Sequence, residues 1–148
     1  MKKWLVFSSL LLVLLLYSVS SKYGFRIGDL SISFAPEKEE IFNSMKRFIE
    51  DIQFKDFSHA ATFHSNSDQA EEDIPKKIEK RFVVKPELLD IKAFDILGVE
   101  LNDLGKRAKV RTQWHVKLLN SDERRDVDVI FYWYKKDGKW FMDLKSSL

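Results

Sequence analysis

Cysteine is absent from the 148 residues, and there are only three histidines, five glycines and three prolines. Without cysteine there is no disulfide framework, zinc–thiolate cluster, iron–sulfur centre or thiol nucleophile, and scattered histidines make no metal cage. A lipid-modified cysteine near residue 21 is excluded on the same ground. So few glycines and prolines rule out a collagen-like chain or a long flexible linker. The acidic run Glu71-Glu72-Asp73 lacks the spaced oxygen ligands and the glycine of a calcium loop, and reads as a solvated loop ahead of a helix. No residue pattern calls for a cofactor or a metal.

What the chain does have is one long apolar run near its start. Lys2 and Lys3 precede Trp4–Val19, which only Ser8, Ser9 and Ser18 interrupt. As a helix this run spans roughly 24 Å, slightly less than the ~30 Å of a bilayer core. Residues 1–21 are therefore expected to be a membrane anchor, with Trp4, Leu10 and Leu16 in the apolar helix, or else a cleaved signal peptide. The uniform block Leu10–Leu16 favours retention; the small residues Ser18, Ser20 and Ser21 leave cleavage open. In either case the positive flank stays inside and the rest is expected outside the cytoplasm, in the cell envelope. It is then a single-pass anchored domain, or a periplasmic or secreted one if cleaved.

Lys2 and Lys3 are the whole excess of 25 basic over 23 acidic side chains, so residues 22–148 are formally neutral. A balanced domain offers no electrostatic footprint for nucleic acid, which is not expected as a partner.

Residues 22–35 carry Gly24 and Gly28 and then alternate Leu30, Ile32 and Phe34 with polar residues, which predicts an extended tether or edge strand. A single domain is expected over 36–148. Pro36, early glutamates and Ile41, Met45, Phe48 and Ile52 at helical spacing predict a helix over 36–53. Asp56 is placed to cap a short second helix running to His64. Residues 64–73 read as a polar loop, and Asp73 precedes a third helix ending near Phe82. Past Pro86 the period becomes two. A strand from Leu89 changes phase at Phe94, implying a bulge. Ala108, Val110, Thr112, Trp114 and Val116 alternate cleanly with Arg107, Lys109, Arg111, Gln113 and His115. Val127, Val129, Phe131 and Trp133 continue the apolar face, and Asp137-Gly138 turns the chain into a last strand with Trp140 and Met142. The expected class is α+β, with N-terminal helices packed on a curved antiparallel sheet.

This order, with Phe54-Lys55-Asp56-Phe57 breaking the helices and Phe131–Tyr134 leading into Asp137-Gly138-Lys139-Trp140, resembles the nuclear transport factor 2-like superfamily. The likeness covers about residues 36–145. It implies the cone-shaped fold shared with ketosteroid isomerase and SnoaL-type cyclases, a fold that hosts enzymes, binding modules and assembly domains. In the catalytic branches an Asp, His or Tyr inside the cone acts as acid or base. Here Asp126, Asp128, Tyr132 and Asp143 fall by parity on the outer face, so the strand-borne carboxylate has no counterpart.

The expected pocket lining is His59, Thr112, Trp114, Phe131, Trp133 and Met142, with His59 or His64 as the titratable candidates for a lone base. The expected partner surface is Arg111, His115, Ile130, Tyr132, Tyr134 and Phe141 on the outer face, where aromatics mix with arginine; the resemblance implies sheet-face dimers. Together these point to a non-enzymatic envelope assembly or binding module. Its partner is expected to be a second copy or another envelope protein, with a small apolar ligand in the cone as a further candidate. The alternative is a small-molecule carrier or an isomerase- or dehydratase-like enzyme using the apolar cone.

Overall fold

The computed structural model describes residues 25–27, 30–32, 36–82, 85–119, 121 and 123–147. The anchor residues Trp4, Leu10 and Leu16 lie outside these. No helix among the described residues is long and apolar enough to cross a membrane. Within the expected tether, β1 (Phe25–Ile27) and β2 (Leu30–Ile32) pair antiparallel with each other.

Four helices follow. α1 (Pro36–Gln53) begins at a proline, carries Glu37 and Glu39 at the positive end of its dipole, and buries Ile41, Met45, Phe48, Ile49 and Ile52. It stops where Lys55 adopts a left-handed conformation (φ 62°), while the Asp56 N–H donates to the Asp51 carbonyl. Asp56 then caps α2 (Phe57–Ala60), accepting from the His59 N–H, and a single 3₁₀ turn over Ala61–Phe63 ends at His64. Residues 64–73 are not the continuous loop expected. Ser65 caps a short helix there, α3 (Asn66–Glu71), by accepting from the Asp68 N–H. Because α3 buries none of its residues, it has no apolar stripe to betray it in the sequence. Asp73 caps α4 (Ile74–Arg81), whose Ile74 and Ile78 enter the core.

The sheet is antiparallel and runs in chain order: β3 (Leu89–Leu101), β4 (Arg107–Leu118), β5 (Arg124–Lys136) and β6 (Lys139–Met142). Its β4 alternation is the one expected, with Ala108, Val110, Thr112, Trp114 and Val116 all buried. β3 carries the expected irregularity, at a shifted position. Its register shifts between Ile91 and Ala93 and again between Ile96 and Gly98, so the slip comes before Phe94 and leaves Ala93 exposed. β5 and β6 join through Asp137 and Gly138, both at positive φ, as a two-residue hairpin requires.

Helices and sheet meet through aromatic edges. Phe48 of α1 sits edge-on to Phe131 at 5.7 Å, Phe63 edge-on to Trp133 at 6.3 Å, and Trp114 stacks on Phe131 at 5.9 Å. Complete burial of such a side chain contributes ~2–3 kcal/mol, and Phe48, Phe131 and Trp133 are all fully buried here.

Candidate functional site

The packed part of the sheet ends before β5 does. β6 pairs only with Trp133–Lys136, and the C-terminal turn extends the cover by one residue. There the Asp143 N–H donates to the Tyr132 carbonyl, and the Tyr132 N–H donates to Ser147 Oγ (2.9 Å). The backbone groups of Ile130 and Asp128 share that direction by alternation and lie past the end of β6, with no described strand beside them. On the helix side, α4 has also ended, at Arg81.

The result is a cleft of about 630 Å³ between the end of α4 and the far ends of β4 and β5. Phe82, Leu89, Trp114, Val116, Val127 and Val129 form its apolar wall; Arg81, Arg125 and Asp128 are its charged residues. Each of those charges already serves the protein. Arg125 Nε donates to Glu123 (2.7 Å), Arg81 Nη1 to the Ser147 carbonyl (3.3 Å), and Asp128 accepts from Gln113 (3.2 Å). Val127, expected on the inner core face, is 40% exposed at the mouth. Chemically this cleft offers mainly apolar surface, and its carboxylate, Asp128, accepts from Gln113 through Oδ1.

A smaller pocket of about 240 Å³ lies where α3 and α4 meet the ends of β5 and β6. His64 lines it and is only 2% exposed. Its Nδ1 lies 3.2 Å from the Ala61 carbonyl, an acceptor, so Nδ1 holds the hydrogen and Nε2 is left as a buried lone-pair acceptor with no partner among the described residues. Burial pushes the His64 pKa down, against the opposing pull of the Ala61 and Ala60 carbonyls and of Asp68 and Asp143. Beside it the Tyr134 hydroxyl donates to Asp68 Oδ2 at 2.6 Å. Burial and that carboxylate raise the Tyr134 pKa. Asp68 is lifted by burial but brought down further by hydrogen bonds from Tyr134 and Ser65.

The sequence-derived residues distribute unevenly over these features. Of the expected pocket lining, Trp114 borders the apolar cleft and Met142 the smaller pocket. Phe131, Trp133 and Thr112 are buried, and the Thr112 hydroxyl donates to the Val129 carbonyl at 3.0 Å. His59 lies on the outside of α2: its side chain is 59% exposed and its Nδ1 meets Asp51 at 2.7 Å. On the outer face, Arg111 stands opposite Ile130 and 3.4 Å from Glu100. His115 bonds to Asp126 and Asp95, and these two carboxylates raise its pKa. Tyr134 and Phe141 pack as neighbours at 6.0 Å, but Tyr134 is also tied to α3 and is not a free outer-face residue. Sequence reasoning missed Asp68 and Arg107 as site residues. The spacing Ser65–Asp68, a helix-start signature, was the available clue to the first.

The described residues contain no group of three or more His, Cys, Asp or Glu side chains able to hold a metal ion. No family model and no curated protein matches the chain.

Proposed function

We propose that this protein is a non-enzymatic binding module of the cell envelope, a nuclear transport factor 2-like domain held at or delivered across the membrane by residues 1–21. Its role is to hold a small apolar ligand in the cleft between α4 and β4–β5. The observation that carries the reading is the lining of that 630 Å³ cleft: aliphatic and aromatic walls, with charges engaged in protein contacts at its margin. Its size falls within the ~300–1,000 Å³ typical of small-molecule sites. The alternative, an isomerase- or dehydratase-like enzyme working in the apolar interior, asks for an acid or base within the cleft. Its one carboxylate, Asp128, already accepts from Gln113, and His59 sits elsewhere on the surface.

The test is native mass spectrometry of the full chain released from mild detergent. A discrete apolar mass should stay on the wild type and be lost from Val127→Arg, which obstructs the mouth at a half-exposed position, while the melting temperature stays put. No retained mass, or equal retention by the variant, would overturn the assignment.

A second reading has its own observation. Ile130, which also lines the cleft, is 38% exposed beside the stretch of the β5 edge that no described strand covers. An uncovered edge invites strand addition, so a second copy or another envelope protein is the partner proposed for it.

A further inference from the structure

The hairpin of β1 and β2 forms a two-stranded sheet of its own, paired with no other described strand. Its register puts Phe25 opposite Ile32 and Ile27 opposite Leu30, so these four apolar residues share one face while Arg26 and Ser31 occupy the other. We infer that the apolar face lies on the lipid surface of the membrane entered by residues 1–21. The inference rests on the anchored state proposed above and adds to it an element that holds the start of the domain against the bilayer.

A two-stranded hairpin with its apolar face in water is marginally stable, so that face needs a cover. The chain then fixes where the hairpin sits. The apolar run ends at Val19 and β1 begins six residues later, with Lys22 and Tyr23, residues suited to the headgroup level, in between. That is roughly 20 Å of fully extended chain, so a chain anchored by the run keeps the hairpin at the membrane surface. Three residues per strand, about 10 Å, are too few to cross a bilayer, and the outer edges, which no described strand pairs, need water or headgroups for their backbone groups. The hairpin therefore lies in the interface. The end of the domain entered at Pro36 offers little apolar cover instead. There the Lys135 ammonium pairs with Glu37 and its backbone N–H donates to the Lys106 carbonyl (2.9 Å), which sets the turns at 102–106 and 136–139 beside the start of α1. Those turns expose Asp103, Lys106, Lys136 and Lys139. Leu104, 77% exposed, is their one large apolar residue, too little to cover a face of four. The apolar cleft lies toward the other end of β5.

The experiment uses the absence of cysteine. The full chain is reconstituted from mild detergent into phosphatidylcholine vesicles and floated on a density gradient, with an NBD fluorophore on a single thiol introduced as Ile32→Cys, Ser31→Cys or Lys46→Cys. With iodide on both sides of the vesicles, the probe at position 32 is expected to be shielded from iodide and quenched by a lipid carrying a nitroxide high on its acyl chain. At position 31, and at the exposed position 46 on α1, iodide should quench and the lipid should not. Phe25→Ser with Ile27→Ser removes the β1 half of the apolar face and should lower the nitroxide quenching at position 32 to the level at position 31. A chain that floats while position 32 answers to iodide keeps the anchor and overturns the inference. Shielding of position 32 from both quenchers overturns it too, and assigns the cover to protein, either the domain itself or a second copy. Equal quenching by the lipid at positions 31 and 32, or no change in the double variant, has the same force. A chain that stays at the bottom of the gradient refutes the anchor, and the inference with it.

Discussion

At the scale of single residues, the two histidines with shifted pKa values respond to acid in opposite directions. Burial holds the His64 pKa below 6.5, so the unfolded chain takes up its proton first as pH falls. Stability is then full above pH 6.5 and is lost as pH drops from there through the folded value. The His115 pKa is raised above 6.5 by its bonds to Asp126 and Asp95. Its contribution is present below pH 6.5 and disappears as pH rises through the folded value. Melting temperatures between pH 5 and 9 separate the two. Against wild type, His64→Phe should perform better at pH 5 than at pH 8, because it has no buried imidazole to protonate. His115→Gln should show a deficit at pH 6 that closes by pH 9; as His115 is solvent-exposed, that deficit is small. A parallel pH profile for all three proteins would remove both assignments.

At the scale of elements, α3 is the part that the rest of the fold needs least and the small pocket needs most. It buries nothing of its own, so it is held by its ends and by two long-range bonds, from Tyr134 to Asp68 and from Lys136 Nζ to Ser67 Oγ (3.3 Å). The Ser65 hydroxyl bonds to Asp68 Oδ2 at 2.7 Å and accepts from the Asp68 N–H, while Asp68 reaches Tyr134. Ser65→Ala removes the cap, at a cost of ~1 kcal/mol, and frays the helix that presents Asp68. Loss of that carboxylate and of local burial should lower the Tyr134 pKa, visible as an earlier tyrosinate absorbance rise in an alkaline titration. An unchanged titration would show that Tyr134 does not depend on α3. The same element marks the limit of what the sequence makes legible. α1 was readable because a start signal and an apolar stripe coincide in Pro36, Glu37, Ile41, Met45 and Phe48. β4 was readable because one of its faces is a core. α3 has only a cap, and although the phase change in β3 announces a bulge, its position at Lys92 depends on the pairing with β4. The candidate site was legible only in pieces: Trp114 and Met142 were on the right face, but the pairing of Asp68 with Tyr134 joins residues sixty-six positions apart.

At the scale of the whole molecule, the β5 edge that no described strand covers and the proposed anchor would act together. Two copies confined to one membrane meet at a higher effective concentration than free domains do, so even a weak strand–strand contact can hold them. The absence of cysteine makes this directly measurable, since any thiol introduced is unique. Ile130→Cys places one beside the edge that no described strand covers, and Lys46→Cys places one on the exposed side of α1. Treated in native membranes with a short bis-maleimide, the Ile130→Cys chain should give a crosslinked homodimer and the Lys46→Cys chain a monomer. Because a lone thiol joins two copies only when both are near, a dimer places the β5 edges of neighbouring chains together. Intact mass of the same sample reads the N-terminus: a mass including residues 1–21 fits the anchored state in which this confinement operates. If the dimer forms on a chain cleaved of that segment, pairing does not need the membrane. If both variants stay monomeric, the edge is not a self-pairing surface, and Ile130 is left as an exposed isoleucine awaiting a different partner.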